Sequence, residues 1–84
     1  MADAIVAVVA EAPGTEDEAL TRVAALRRAG IAAEAFVTGS QKKRYDRALK
    51  TRPAVTVSLR GEAAPNVRAI DGRIAIERIE GALA

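Results

Sequence analysis

The chain has 84 residues, a net charge of +2, half of its residues apolar and 29% charged, which is the balance of a single soluble globular domain. It has no histidine and no cysteine, which excludes disulfides, thiolate chemistry, the usual general base and the commonest metal ligand. With one Phe, one Tyr and no Trp, its core has to be small and aliphatic.

"AIVAVVA", residues 4–10, is a continuous apolar run, as expected of a strand buried on both faces of a sheet. It is followed by "GTEDEALTRVAALRRAGI". Thr15 with Glu18 has the spacing of a capping box, and Glu16, Asp17 and Glu18 suit the positive end of a helix dipole. Ala19, Leu20, Val23 and Leu26 form an apolar stripe, and Gly30 stands where a C-terminal cap belongs, so a helix is expected over 15–29. Arg27 borders that stripe and is expected to bury its stem and keep its head wet.

A second strand is expected over 31–37, with Glu34 suggesting an edge position. Ser40 can cap a second helix over 41–50, which Pro53 forbids from continuing. On that helix Tyr45, Ala48 and Leu49 share one face and Lys43, Arg47 and Lys50 the opposite one. The third strand is 54–59, with Val55, Val57 and Leu59 alternating against Thr56 and Ser58. "RGEAAP" reads as a loop. "NVRAIDGRIAIE" then reads as a hairpin, because Asp71-Gly72 is a type I′ turn signal that would put Val67, Ala69, Ile74 and Ile76 on one face. "RIEGALA" can close the chain as a short helix. The order β-α-β-α-β-β-β predicts a layered α/β domain with a mixed sheet.

The loop "EAPGTEDE" after the first strand lacks both G-x-G-x-x-G and a P-loop ending, and its three acids would repel a phosphate. Ser40 and Ser58 have no sequence partner that marks a nucleophile. No apolar run approaches the roughly 18 residues of a membrane span, and an acid stands where a secretory leader would be basic. The expected location is the cytoplasm, with no membrane, metal or cofactor.

The sharpest feature is "TGSQKKRYDRALKTR", residues 38–52, with six Lys/Arg against the single acid Asp46. Lys42, Lys43 and Arg44 fall in the first helical turn, where cations oppose the dipole. Most charge runs are solvated faces, but such faces usually mix signs, and this one does not. An anionic partner accounts for the local cost, and nucleic-acid phosphate is the expected one, on a surface made by Lys42, Lys43, Arg44, Arg47, Lys50 and Arg52. The scarcity of aromatics weighs against single-strand binding by base stacking.

Two of these segments carry a resemblance. "ALRRAGIAAE" (25–34) followed by "TGSQKKRYDRALK" (38–50) resembles the C-terminal anticodon-binding domain of class II aminoacyl-tRNA synthetases, and most nearly that of histidyl-tRNA synthetase. In that family a helix closing in L-R-x-A-G-I leads through a small-residue turn to a helix of the form K-K-x-x-x-x-A. Leu26, Arg27, Ala29, Gly30 and Ile31 fit the first element, and Lys42, Lys43 and Ala48 the second. Arg44 stands where the family usually has Gln, and Ala64 where it tends to have an acid. The resemblance implies one anticodon-binding-like domain over 1–84. Its fold would be three-layered α/β, a mixed five-stranded sheet of order 2-1-3-4-5 with helices on both faces. It also implies a tRNA anticodon stem and loop as partner. Catalysis by a histidine–tRNA ligase-like parent would lie in a separate, larger domain, itself a candidate protein partner. A different class of function, on the same fold, is a protein-interaction module whose basic helix docks an acidic partner surface.

Overall fold

The computed structural model of the protein describes residues 5–61 and 64–83. Along the chain run β1 (Val6–Ala10), α1 (Glu16–Arg28), β2 (Ala33–Phe36), α2 (Gln41–Lys50), β3 (Val55–Leu59), β4 (Asn66–Ala69) and α3 (Ile76–Leu83). The sheet order is β2-β1-β3-β4, with β1 parallel to both its neighbours and β4 antiparallel to β3. Ala4, Glu62, Ala63 and Ala84, which the sequence reading assigned to strand, loop and terminal helix, lie outside the described residues.

All five residues of β1 are buried, as its unbroken apolar run requires. Val6, Val8 and Ala10 join the larger core cluster with Ala19, Val23 and Leu26 of α1 and Ile79 of α3. Ala7 and Val9 join a smaller cluster on the other face with Phe36 of β2 and Ala48 of α2. Each fully buried valine contributes on the order of 1.5 kcal/mol or more. β2 is an edge strand, and its Glu34 is exposed.

α1 ends in a complete Schellman motif. The Gly30 N–H donates to the Arg27 carbonyl (3.0 Å) and the Ile31 N–H to the Leu26 carbonyl (3.0 Å). Gly30 takes φ +80°, and Leu26 and Ile31 are buried in the same cluster. The start of α1 differs from expectation. The Thr15 hydroxyl does not cap the helix but donates back to the Ala12 carbonyl (2.7 Å), while the Gly14 N–H donates to the Glu16 carboxylate (3.1 Å). The tight turn over 12–15 draws the hydroxyl away from the helix end.

The expected fifth strand does not form, so the sheet has four strands among the described residues. After β4 the Ile70 and Asp71 N–H groups both donate to the Ala54 carbonyl (2.7 and 3.2 Å), and the Asp71 carboxylate accepts the Arg73 N–H (3.0 Å). This side-chain turn replaces the type I′ hairpin, and Gly72 stays out of the left-handed region that such a turn needs. Ile76 and Ile79 then lie three apart on α3, with Ala82 and Leu83 extending the stripe onto the larger core. Helical spacing wins over strand alternation here because α3 covers core that a further edge strand would leave open. The Arg22 guanidinium holds the far end of α3 by donating to the Leu83 carbonyl (2.9 Å).

The two glycines give a direct check. Gly30→Ala forces a Cβ into the left-handed region and should destabilise by about 1 kcal/mol. Gly72→Ala, with open space around it, should stay within about 0.5 kcal/mol of wild type. Urea midpoints measure both, and equal effects would contradict the two backbone assignments.

Candidate nucleic-acid interface

Ser40 is extended (φ −64°, ψ 132°) and opens α2 without a side-chain hydrogen bond to it. Pro53 closes the segment, and the Thr51 hydroxyl donates to the Ala48 carbonyl (2.7 Å). Between them the helix turns Arg44 and Ala48, four residues apart, toward the sheet, and these are its buried residues. The expected face of Tyr45, Ala48 and Leu49 is therefore displaced. Tyr45 is half-buried against the smaller cluster, and Leu49 is 38% exposed.

Arg44 causes this displacement. It is 6% exposed, and its Nη1 donates to the Ala10 carbonyl (2.8 Å) and to the Glu16 carboxylate (2.9 Å). Ala10 is the last residue of β1 and is paired with Leu59 of β3. In open α/β sheets ligands gather at strand ends beside the topological switch, which here lies between β1 and β3. This chain places its own ion pair at that strand end. Arg44 thus leaves the expected phosphate-facing surface: its head is sequestered and its stem packs in the interior. The Glu16 carboxyl is held below the usual glutamate range, first by the hydrogen bond from the Arg44 side chain and then by that from its own backbone N–H.

Arg47 also works within the fold. It donates to the Thr38 carbonyl (2.9 Å) and hydroxyl (3.2 Å), stapling the turn between β2 and α2. Gly39 takes φ +76° in that turn, a left-handed conformation that suits glycine. Arg52 has φ +55°, and its carbonyl accepts the Arg73 guanidinium. Lys42, Lys43, Lys50 and Arg52 are exposed, and none is in an ion pair among the described residues. The structure therefore brings Lys42, Lys43 and Lys50 together on the outside of α2, with Arg52 just beyond its end and Arg47 at its side.

Two residues that matter to this region were not marked by the sequence reading. Glu16 looked like one of three dipole-matching acids, and nothing local distinguishes it from Asp17. Arg68 lies on β4 opposite Thr56, on the same face of the sheet as α2, and is exposed. Its place follows from strand register, which sequence spacing does not carry. Arg27 behaves as expected, with an exposed side chain whose Nε donates to the Ala33 carbonyl (3.1 Å). Among the described residues no group of three or more acidic side chains could hold a metal ion, and no helix is long and apolar enough to cross a membrane.

The interior and exterior cations should separate on substitution. Arg44→Ala removes the partner of a buried carbonyl and of Glu16, and should cost about 1–3 kcal/mol by thermal or urea unfolding. Lys43→Ala should stay within about 0.5 kcal/mol of wild type. The pair should also respond to acid. A carboxyl depressed in the native state stabilises fully above its unfolded value, and that contribution is lost as pH falls through the native one. The difference in urea midpoint between neutral pH and pH values below about 4 should shrink in Glu16→Gln. An unchanged difference would remove Glu16 from the acid response.

No family model, curated protein or solved structure matches this chain.

Proposed function

We propose that this chain is a tRNA anticodon-binding domain of the histidyl-tRNA synthetase-like kind, and that it holds RNA phosphates against the outer face of α2. One observation carries the reading. Lys42, Lys43, Lys50 and Arg52 are exposed, close in sequence and free of ion pairs among the described residues, with Asp46 the single acid on the helix. The arginines that the fold itself uses, Arg44 and Arg47, are tied to Ala10, Glu16 and Thr38. The remaining cations make no contribution to the fold that would explain them. Three lysines side by side act as point charges, which suits phosphate more than a planar carboxylate fork. The sequence pattern over residues 25–34 and 38–50 supports the choice of tRNA among nucleic acids, and the order β2-β1-β3-β4 is compatible with it over the strands present.

Phosphate contacts act through counterion release. Log K for a tRNA should fall with log salt, and Lys43→Ala and Lys50→Ala should each reduce that slope by about 0.7 to 0.9. Preference among RNAs should change little, because phosphate contacts position without specifying. Fluorescence anisotropy across a salt series measures this. Absence of binding at low salt, or a slope unaffected by both substitutions, would leave the cations as a solvated face.

A further inference from the structure

β4 is an outer strand of the sheet, and its free edge can be read group by group. The Val55 N–H donates to the Ile5 carbonyl (3.2 Å), and the Leu59 carbonyl accepts the Glu11 N–H (3.0 Å). Val55, Val57 and Leu59 therefore turn their backbone groups to β1, and Thr56 and Ser58 turn theirs to β4. The partners of those two, Arg68 and Asn66, face inward, so the N–H and C=O of Val67 and of Ala69 point away from the sheet. The described residues offer these outward groups no hydrogen-bond partner. The other edge of the sheet is guarded. On β2 the Val6 N–H donates to the Ala32 carbonyl (3.0 Å), which leaves that of Ala33 outward, and Arg27 already holds it (3.1 Å).

Two side-chain features flank the open edge, one on each face. On the face of α1 and α3, Val67 packs against the larger cluster and lines an open cleft of about 200 Å³ with Pro65, Leu83, Arg22 and Glu80. Arg22 is committed to Glu18 and to the Leu83 carbonyl, so Glu80 carries the uncommitted charge of the cleft. On the opposite face Arg68 is exposed and has no ion pair among the described residues.

We propose that the β4 edge takes up an extended peptide segment of a partner protein as an added antiparallel strand, with an acidic residue opposite Arg68 and a large apolar residue beside it in the cleft. This surface is separate from the cations of α2 and does not rest on the RNA reading. Backbone bonds to Val67 and Ala69 would fix the register of the added strand. Arg68 then stands in the non-bonded pair between them, where facing side chains approach most closely and an opposite charge counts most. Successive residues of a strand alternate between faces, so the neighbour of the acid opposite Val67 meets the cleft. Glu80 disfavours a second acid there, and Val67, Pro65 and Leu83 supply apolar walls. The two faces thus ask for different residues at adjacent positions. A second copy of β4 does not meet that demand. Centred on residue 68, two copies would set Arg68 against Arg68; centred on residue 67, they would set Pro65, which lacks an N–H, against Ala69.

The probe is a labelled, end-blocked peptide of sequence Thr-Val-Glu-Leu-Thr, with variants carrying Lys for Glu or Ser for Leu. In hydrogen-exchange NMR of the free protein, the Val67 and Ala69 amides should exchange fast and that of Arg68 slowly. Saturating peptide should slow the first two by roughly tenfold or more. By fluorescence anisotropy at low salt, the Glu peptide should bind roughly fivefold or more tighter than the Lys peptide, and Arg68→Glu should invert that order. Ser for Leu should weaken binding by roughly tenfold. Ala69→Pro removes an outward N–H while sparing the ladder to β3, and should abolish binding. Circular dichroism verifies that both protein variants keep the fold; if Ala69→Pro unfolds, the inversion by Arg68→Glu decides alone. Failure of wild type to bind the Glu peptide overturns the proposal, as does an unchanged order of peptides in Arg68→Glu. Val67 and Ala69 amides already protected in the free protein, in proportion to its concentration, would overturn it too and assign the edge to a second copy.

Discussion

The orientation of α2 depends on one buried guanidinium. The helix faces a small cluster of Ala7, Val9, Phe36 and Ala48, which offers little shape to fix its rotation. Arg44 supplies what the apolar contact lacks. Its hydrogen bonds to the Ala10 carbonyl and to Glu16 are directional, and they join the end of β1, the start of α1 and α2 at one point. A helix turned instead to put Leu49 inward would carry the lysines around with it. The outward display of Lys42, Lys43 and Lys50 is thus set by a cation that itself points inward.

The two faces of the sheet are built unequally. α1 and α3 together cover one face, and the larger cluster lies beneath them. α2 alone covers the other, and only in part. The sheet is therefore held mainly from one side, which leaves the second side available for surface chemistry. The link from Arg22 to the Leu83 carbonyl belongs to the first arrangement, since it ties the chain's last helix to its first. α3 is short, and the helix beside it completes its burial.

Much of this fold was legible in the sequence, for identifiable reasons. The apolar run of β1 could only suit a strand covered on both faces, and Gly30 could be placed because the left-handed cap is costly for any other residue. The final third was ambiguous because Ile74, Ile76 and Ile79 satisfy two periods at once, and the choice depends on what remains uncovered once α1 is in place. The Asp71-Gly72 pair has the composition of a hairpin turn, but the Asp71 carboxylate closes a different turn onto the Arg73 N–H. The basic segment was visible as composition, while the division of labour within it was not. Arg44 and Lys43 are neighbours in a charge run, and only the approach of β1 and Glu16 makes one interior and the other exterior.

The position of β1 has a consequence for how the chain acquires this structure. It is the first strand in sequence and an inner strand of the sheet, with Val6 paired to Ala33 on one side and to Val55 on the other. Both pairings are parallel, so each requires a whole helix to be laid down before the strands can meet. On a ribosome this apolar strand emerges before both of its partners and waits, unsatisfied along one edge, until β3 has followed. Folding by such distant pairings is slower than in a helical bundle of the same size. A chain interrupted before Leu59 would present β1 as an unprotected template for other strands.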